Sequence, residues 1–238
     1  MFHSRWRRMP AALLLPAAAV ACAAGCGSSG AHTTSTTSSA GAVSQTGAFS
    51  SVKLRGALLT KVNGVSAAVP AESGTYASLP EVQASKQSTR GVNVSPKACA
   101  RAALTGFGSG VLAAAPAAAV TFRVGGNGVS EVLVAPGTAA AANALGNPVP
   151  AICDHYTATV GGKTYRYAVT DSTVRGIGQQ ARVLNVKTAG YPADEIWSIV
   201  YRGARFVGAV TVVGPNASEA AVRELGQQAY AYAAKSLA

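Results

Sequence analysis

Acidic residues are scarce in this chain of 238 residues: nine Asp and Glu stand against twenty Lys and Arg. A paired-carboxylate hydrolase needs two converging acids. Asp154 and Asp171 flank one hairpin, but acids at strand ends are ordinarily solvated. Asp194 and Glu195 are adjacent, and neighbours on a strand point to opposite faces. Histidine is scarcer, with three in all and only His155 beyond residue 32. A metal site needs three or four His, Cys, Asp or Glu ligands at suitable spacing, and none is expected here. No cofactor motif is present either. The GxSxG elbow of a serine hydrolase is missing. Phe107-Gly108-Ser109-Gly110 and Gly125 to Gly128 lack the Lys-Ser/Thr of a phosphate loop, so they read as turns. No apolar run reaches the roughly 20 residues that span a bilayer.

The chain does carry an export signal. Arg5, Arg7 and Arg8 precede an apolar stretch, Ala11 to Ala24, and small residues then lead to cysteine. That order is a secretory signal rather than a structural helix. The sequence AVACAAGCGSSG at its end resembles the lipobox of bacterial lipoproteins. Cys26 follows Ala23-Ala24-Gly25 and precedes Gly27-Ser28-Ser29. Cys22 follows Ala19-Val20-Ala21 and is the alternative. Simple secretion, with cleavage near Ala24, is the plain reading beside both. The lipobox resemblance implies a diacylglyceryl group on the cysteine. Two chains suffice for stable anchoring where one does not. The expected place is then the outer face of the cell membrane, with the membrane itself as a partner.

Cleavage before Cys26 removes three arginines and no acid, so the net charge falls from +11 to +8. Such a surface attracts anionic headgroups or acidic polymers, or serves solubility alone. In an exported protein, nucleic acid is not an expected partner. The wealth of Ala, Gly, Val and Arg suggests a GC-rich genome.

Three regions follow: a signal peptide (1–25), a Ser/Thr/Gly-rich tether (26–52) and one domain (53–238). The tether holds the hydroxyl run Thr33 to Ser39 and too little apolar surface to offset its ordering entropy.

Within the domain, Leu54 to Thr60 reads as a short helix or turn, and Pro70 to Val94 as irregular. Ser95-Pro96 reads as the start of a helix through Cys99 and Leu104 to Gly106. Hairpins are expected at Val120 to Val134, around Gly125 to Gly128; at Tyr156 to Val169, around Gly161-Gly162; and at Glu195 to Val213, around Gly203-Ala204. Arg182 to Lys187 reads as a strand. Thr138 caps a short alanine helix. Asn216 and Glu219 form a capping-box spacing, followed by Val222, Leu225, Ala229, Tyr232 and Ala233 at helical intervals. The expected fold is α+β: an antiparallel sheet of hairpins with helices packed on it, closed by the C-terminal helix.

Cys99 and Cys153 are the domain's thiols. In an oxidising compartment a disulfide is the default. The alternative is a catalytic thiol at Cys153 with His155, two residues on along the same strand face.

The strand Glu195 to Arg202 is apolar on both sides, as a central strand covered on each face would be. Trp197, Ile199 and Tyr201 take one face, and Ile196, Ser198, Val200 and Arg202 the other. Val222 and Leu225 are expected to cover one of them. The other is read as lining a cleft with Tyr165, Tyr167 and Arg202 nearby, or as filled by the Cys99 segment. The candidate ligand-binding residues are thus Tyr165, Tyr167, Trp197, Tyr201 and Arg202, with a tyrosine-rich core face as the bland alternative.

The order LRGALLT, SPKAC, hairpin, Cys153, strands, IVYRGARFVGAVTVV and closing helix resembles the PknH-like extracellular sensor domain over residues 53–238. Actinobacterial envelope proteins carry that domain on receptor kinases or as free lipoproteins. The resemblance implies a non-enzymatic, sensor-like lipoprotein binding a small-molecule, lipid or glycan ligand. The LpqN-type lipoproteins are a rival resemblance. The alternative functions are an envelope lipid or glycolipid carrier and a cell-envelope hydrolase.

Overall fold

The computed structural model describes residues 49–101, 112–145 and 148–238. The signal peptide, Cys22, Cys26, residues 26–48 of the tether and the glycine loop at Phe107 lie outside the described residues.

Nine strands form one antiparallel sheet. They are β3 (Glu72–Thr75), β4 (Asn93–Ser95), β5 (Pro116–Val124), β6 (Asn127–Val134), β7 (His155–Val160), β8 (Lys163–Val174), β9 (Gln180–Thr188), β10 (Tyr191–Arg202) and β11 (Val207–Val213). Their order across the sheet is β3-β5-β6-β11-β10-β9-β8-β7-β4. A separate ribbon pairs β1 (Lys61–Val62) with β2 (Val65–Ser66). The helices are α1 (Ser51–Arg55), α2 (Pro80–Ser88), α3 (Thr138–Ala144) and α4 (Glu219–Ser236). The α+β expectation holds, and β10 is the middle strand of nine.

All three hairpins form where alternation and paired turn residues place them. Gly125, Gly126, Gly161 and Gly162 have positive φ, the conformation that two-residue hairpin turns demand of their central residues. The strands run further than expected: β8 continues to Val174 and β10 starts at Tyr191.

Several local expectations are corrected. The segment Pro70 to Val94 is not irregular, since it holds β3, a 3₁₀ turn (Tyr76–Ser78), α2 and most of β4. Ser95 ends a strand, and the turn after it (Lys97–Arg101) is a 3₁₀ helix, so Ser95 is no helix cap. The cap of α4 is Ser218, whose hydroxyl accepts from the Ala221 N–H at 3.2 Å. Asn216 instead bridges to the β5–β6 turn, its N–H donating to Asn127 Oδ1 and its Nδ2 to the Gly125 carbonyl. Tyr232 faces solvent, and Tyr230 packs inward in its stead.

Directly paired residues of neighbouring strands share a face, so the register divides the sheet into two sides. On one side Ala118, Val120, Phe122, Leu133, Val210, Ile199 and Tyr201 form a core with α1 and α4. This is the helix face. Packing there begins at Phe49, within the last residues assigned to the tether, with Lys53 and Arg205 placed over its ring. The opposite side holds two smaller clusters. One gathers Leu79, Ala119, Val134, Leu145 and Val200. The other surrounds a disulfide between Cys99 and Cys153; this second side is the disulfide face.

Close approach explains two glycines. A Cβ on Gly208 would lie 2.2 Å from the Tyr201 ring, which crosses its paired partner on the next strand. A Cβ on Gly226 would lie 2.5 Å from Ile199 Cγ2, where α4 rests on β10. In both places the missing side chain lets a large neighbour fit.

Candidate functional site

Cys99 and Cys153 are fully buried and bonded to each other. The catalytic-thiol alternative is therefore overturned, because neither sulfur is free and His155 points to solvent with no thiol to activate. The bond joins the 3₁₀ turn after β4 to the turn before β7 (Ala151–Cys153). Against it pack Tyr156, Tyr165 and Tyr167, with Tyr156 and Tyr167 stacked at 4.9 Å.

The five candidate ligand residues do not converge. Tyr165 and Tyr167 lie buried on the disulfide face, filled by the Cys99 segment. Trp197 and Tyr201 lie on the helix face, where Tyr201 is wholly enclosed and meets Tyr230 edge-on at 5.8 Å. Arg202 sits at the far end of β10, six residues from Ile196, which adjoins the tyrosine cluster. The expected cover of β10 by Val222 and Leu225 is present.

Three polar features escaped the sequence reading. The first is an ion pair. Asp171 is not solvated; it is locked to Arg182, whose Nε donates to Oδ1 at 2.9 Å and whose second terminal nitrogen meets Oδ2. Arg182 also donates to the Leu145 carbonyl at 3.1 Å, and the Val149 N–H donates to Asp171 at 2.7 Å. The pair thus ties the end of α3 and the approach to β7 onto the sheet. Its side chains are 9% and 7% exposed, so removing one partner would strand a buried charge.

The second feature is Glu131, 1% exposed on the helix face. Its Oε2 accepts from the Leu59 N–H at 2.8 Å, which fixes the segment after α1 to β6. Burial pushes its carboxyl up to about 8. It is therefore largely protonated at neutral pH. Burial also raises the Tyr201 phenol well above its ordinary value, with Glu131 nearby adding to the shift. Both groups serve the core, with no opening to a substrate.

The third feature faces solvent. At the β7–β8 turn an open depression of about 510 Å³ is lined by Lys163, Thr164, Tyr165, Arg166 and Ala189. Its size lies in the range of small-molecule sites. The Ala189 N–H donates to the Arg166 carbonyl at 2.9 Å, which draws the β9–β10 turn beside β8. Thr164 and Thr159 hydroxyls meet at 3.0 Å across the hairpin. Two cations and no acid line the depression. Tyr165 also lines it, while the body of that side chain packs in the disulfide cluster. The signal for it was the mixed run Tyr165-Arg166-Tyr167, in which alternation buries the tyrosines and exposes the arginine.

No group of three or more His, Cys, Asp or Glu among the described residues is placed to hold a metal ion. Among the described residues no helix is long and apolar enough to cross a membrane. The site is thus an open hollow lined by two cations and no acid, on a disulfide-braced sheet. No protein-family model and no curated protein matches the chain. Solved structures similar to it include two from mycobacteria. One is the extracellular domain of PknH from Mycobacterium tuberculosis, 17% identical, covering 79% of this chain and 97% of that one, with a TM-score of 0.49. The other is an uncharacterised Mycobacterium smegmatis protein, 16% identical, covering 60% and 77%, with a TM-score of 0.35. Neither likeness says what this chain binds.

Proposed function

We propose that this chain is a non-enzymatic, sensor-like lipoprotein held at the outer face of the cell membrane by a diacylglyceryl group on Cys26. Its domain binds an anionic envelope or extracellular ligand at the depression beside the β7–β8 turn. The carrying observation is that depression: Lys163 and Arg166 flank Tyr165 with no acid among the lining residues. A desolvated or partly desolvated carboxylate or phosphate beside arginine gains a charge-assisted, often bidentate hydrogen bond. The buried disulfide supports an oxidising compartment, as the export signal does. The carrier alternative calls for an apolar cavity between sheet and helices, whereas the buried apolar side chains of both faces lie in packed clusters.

Native mass spectrometry of the protein taken from its own cells tests the reading. An acidic adduct is expected on the wild type and lost from the Lys163→Glu, Arg166→Glu double variant. An adduct that survives the double variant contradicts the site.

A further inference from the structure

Beyond the depression, strands β7 and β8 carry one side under the disulfide cluster and the other to the outside. On β8 the outer set is Thr164, Arg166, Ala168, Thr170 and Ser172, all exposed except the half-buried Ala168. The register extends this set into rows. Thr164 is opposite Thr159, which is opposite Asn93. Arg166 is opposite Thr157, which is opposite Ser95. Ala168 sits between His155 and Lys187. Thr170 adjoins Asn185, and Asn185 adjoins half-buried Trp197. Helix α4 packs on β10, β11 and the margin of β9. Among the described residues no helix packs over this outer side of β4, β7 and β8. The open area is about 10 Å across, from two strand gaps of about 4.8 Å.

A solvated face is ordinary for an antiparallel sheet. This one differs in its charge and its shape. Its unpaired charges are of one sign: Arg166 on the face and Lys163 at the turn. The acid beside them, Glu195, already accepts from Asn185 at 3.0 Å and Lys187 at 3.1 Å. Among the described residues every large exposed hydrophobic one (Val52, Val65, Val69, Ile152 and Tyr232) lies elsewhere. A membrane-surface binder needs apolar side chains to insert, and a single-strand nucleic-acid binder needs exposed aromatic faces. Flat rows of hydroxyls with a few cations suit a polymer that carries hydroxyls and carboxylates at regular intervals.

We propose that this open sheet face binds an acidic polysaccharide, a polymer of uronic acid residues, laid across β4, β7 and β8 and ending in the depression. This rests on the anion-binding reading above and names its ligand class. Arg166 takes a carboxylate, Lys163 a second at the turn, and the threonine rows exchange hydrogen bonds with sugar hydroxyls.

The test uses the mature chain in detergent micelles, with polygalacturonate, neutral dextran and phosphatidylglycerol vesicles as probes. Polygalacturonate is expected to bind, and added salt to weaken it, since exposed charges are screened. Dextran is not expected to bind. Arg166→Glu with Thr170→Glu, which sets two acids on the open face, is expected to weaken binding more than about tenfold, summing a modest effect from each exposed charge. Lys53→Glu, at the other end of the molecule, is expected to leave it unchanged. These positions are exposed, and unchanged thermal melting of each variant shows that the fold is kept. If Lys163→Glu alone abolishes binding and Thr170→Glu alone leaves it unchanged, the extended face is wrong and the depression stands. If vesicles bind and polygalacturonate does not, the ligand class is wrong. If no probe binds and native protein carries no acidic adduct, both readings fall.

Discussion

The helix face of this sheet has two halves that share strands and differ in almost everything else. Under α4, strands β10 and β11 present Ile199, Tyr201, Val210 and Val212, all buried. Past β9 the same side presents Thr164, Arg166, Thr170 and Ser172, all exposed. The divide falls at Asn185, buried between the two and hydrogen-bonded to Glu195 and to the Ile196 carbonyl. One half is shaped by packing, where two glycines exist to let Tyr201 and Ile199 in. In the other half the backbones of β7 and β8 are already paired on both sides, and among the described residues no helix covers the outer side chains. On the reading proposed above, stability resides in the first half and recognition in the second.

The largest expected effect concerns place rather than fold. Cys26→Ala should move mature protein from the membrane fraction to the soluble one, because both acyl chains are lost. If Cys22→Ala does this instead, the anchor is Cys22. If neither does, the lipoprotein reading fails.

Next come the devices that hold the binding half rigid from behind. Cys99→Ala should cost about 4 kcal/mol in the chain-entropy account of a loop of this length, read from denaturant unfolding. Asp171→Ala should cost about 3–5 kcal/mol, because Arg182 would remain buried without its partner. A loss below about 1 kcal/mol in both would mean that this end of the sheet does not depend on them.

Glu131 sharpens the contrast from the packed half. Its folded carboxyl titrates at about 8, against 4.5 for the ordinary group. Between those values the native state holds a proton that the unfolded chain has released, so stability falls as pH rises from about 4.5 to 8 and levels off above. Glu131→Gln keeps an acceptor for the Leu59 N–H and should flatten that slope. An unchanged slope in the variant would assign the pH dependence to other groups.

Smaller still is Gly226→Ala. In an exposed helix this change favours the helix by up to about 1 kcal/mol. Here the added methyl meets Ile199, so a net loss of about 1–3 kcal/mol is expected from overpacking. Thr170→Ala, on the open half, should stay within about 0.5 kcal/mol. A reversal of that order would dissolve the distinction between the halves.

The hairpins were legible because alternation and Gly-Gly turns are local. The central position of β10 was legible because both its faces are apolar. The disulfide followed from compartment and count. What stayed hidden depended on register or on weak pattern. Helix α2, PEVQASKQS, has Val82 as its one large apolar residue, so no stripe announces it. Ser218 and Asn216 are both good caps, and the choice between them is made by Asn127, far off in sequence. Alternation within β8 puts Tyr165 and Tyr167 together, and within β10 it puts Trp197 and Tyr201 together. Whether the two pairs share a side is set by the pairing through β9, which places them on opposite sides. Glu131 reads as an outward strand residue until α1 and its following segment are seen to cover it.

The most direct measurement is a titration of the isotopically labelled chain with oligogalacturonate, followed by backbone amide shifts in NMR. The account predicts shifts concentrated at Thr157, Thr164, Arg166 and Thr170, with α4 and the Tyr201 neighbourhood unmoved. Shifts centred on α4 and Tyr201, with the open face silent, would contradict it.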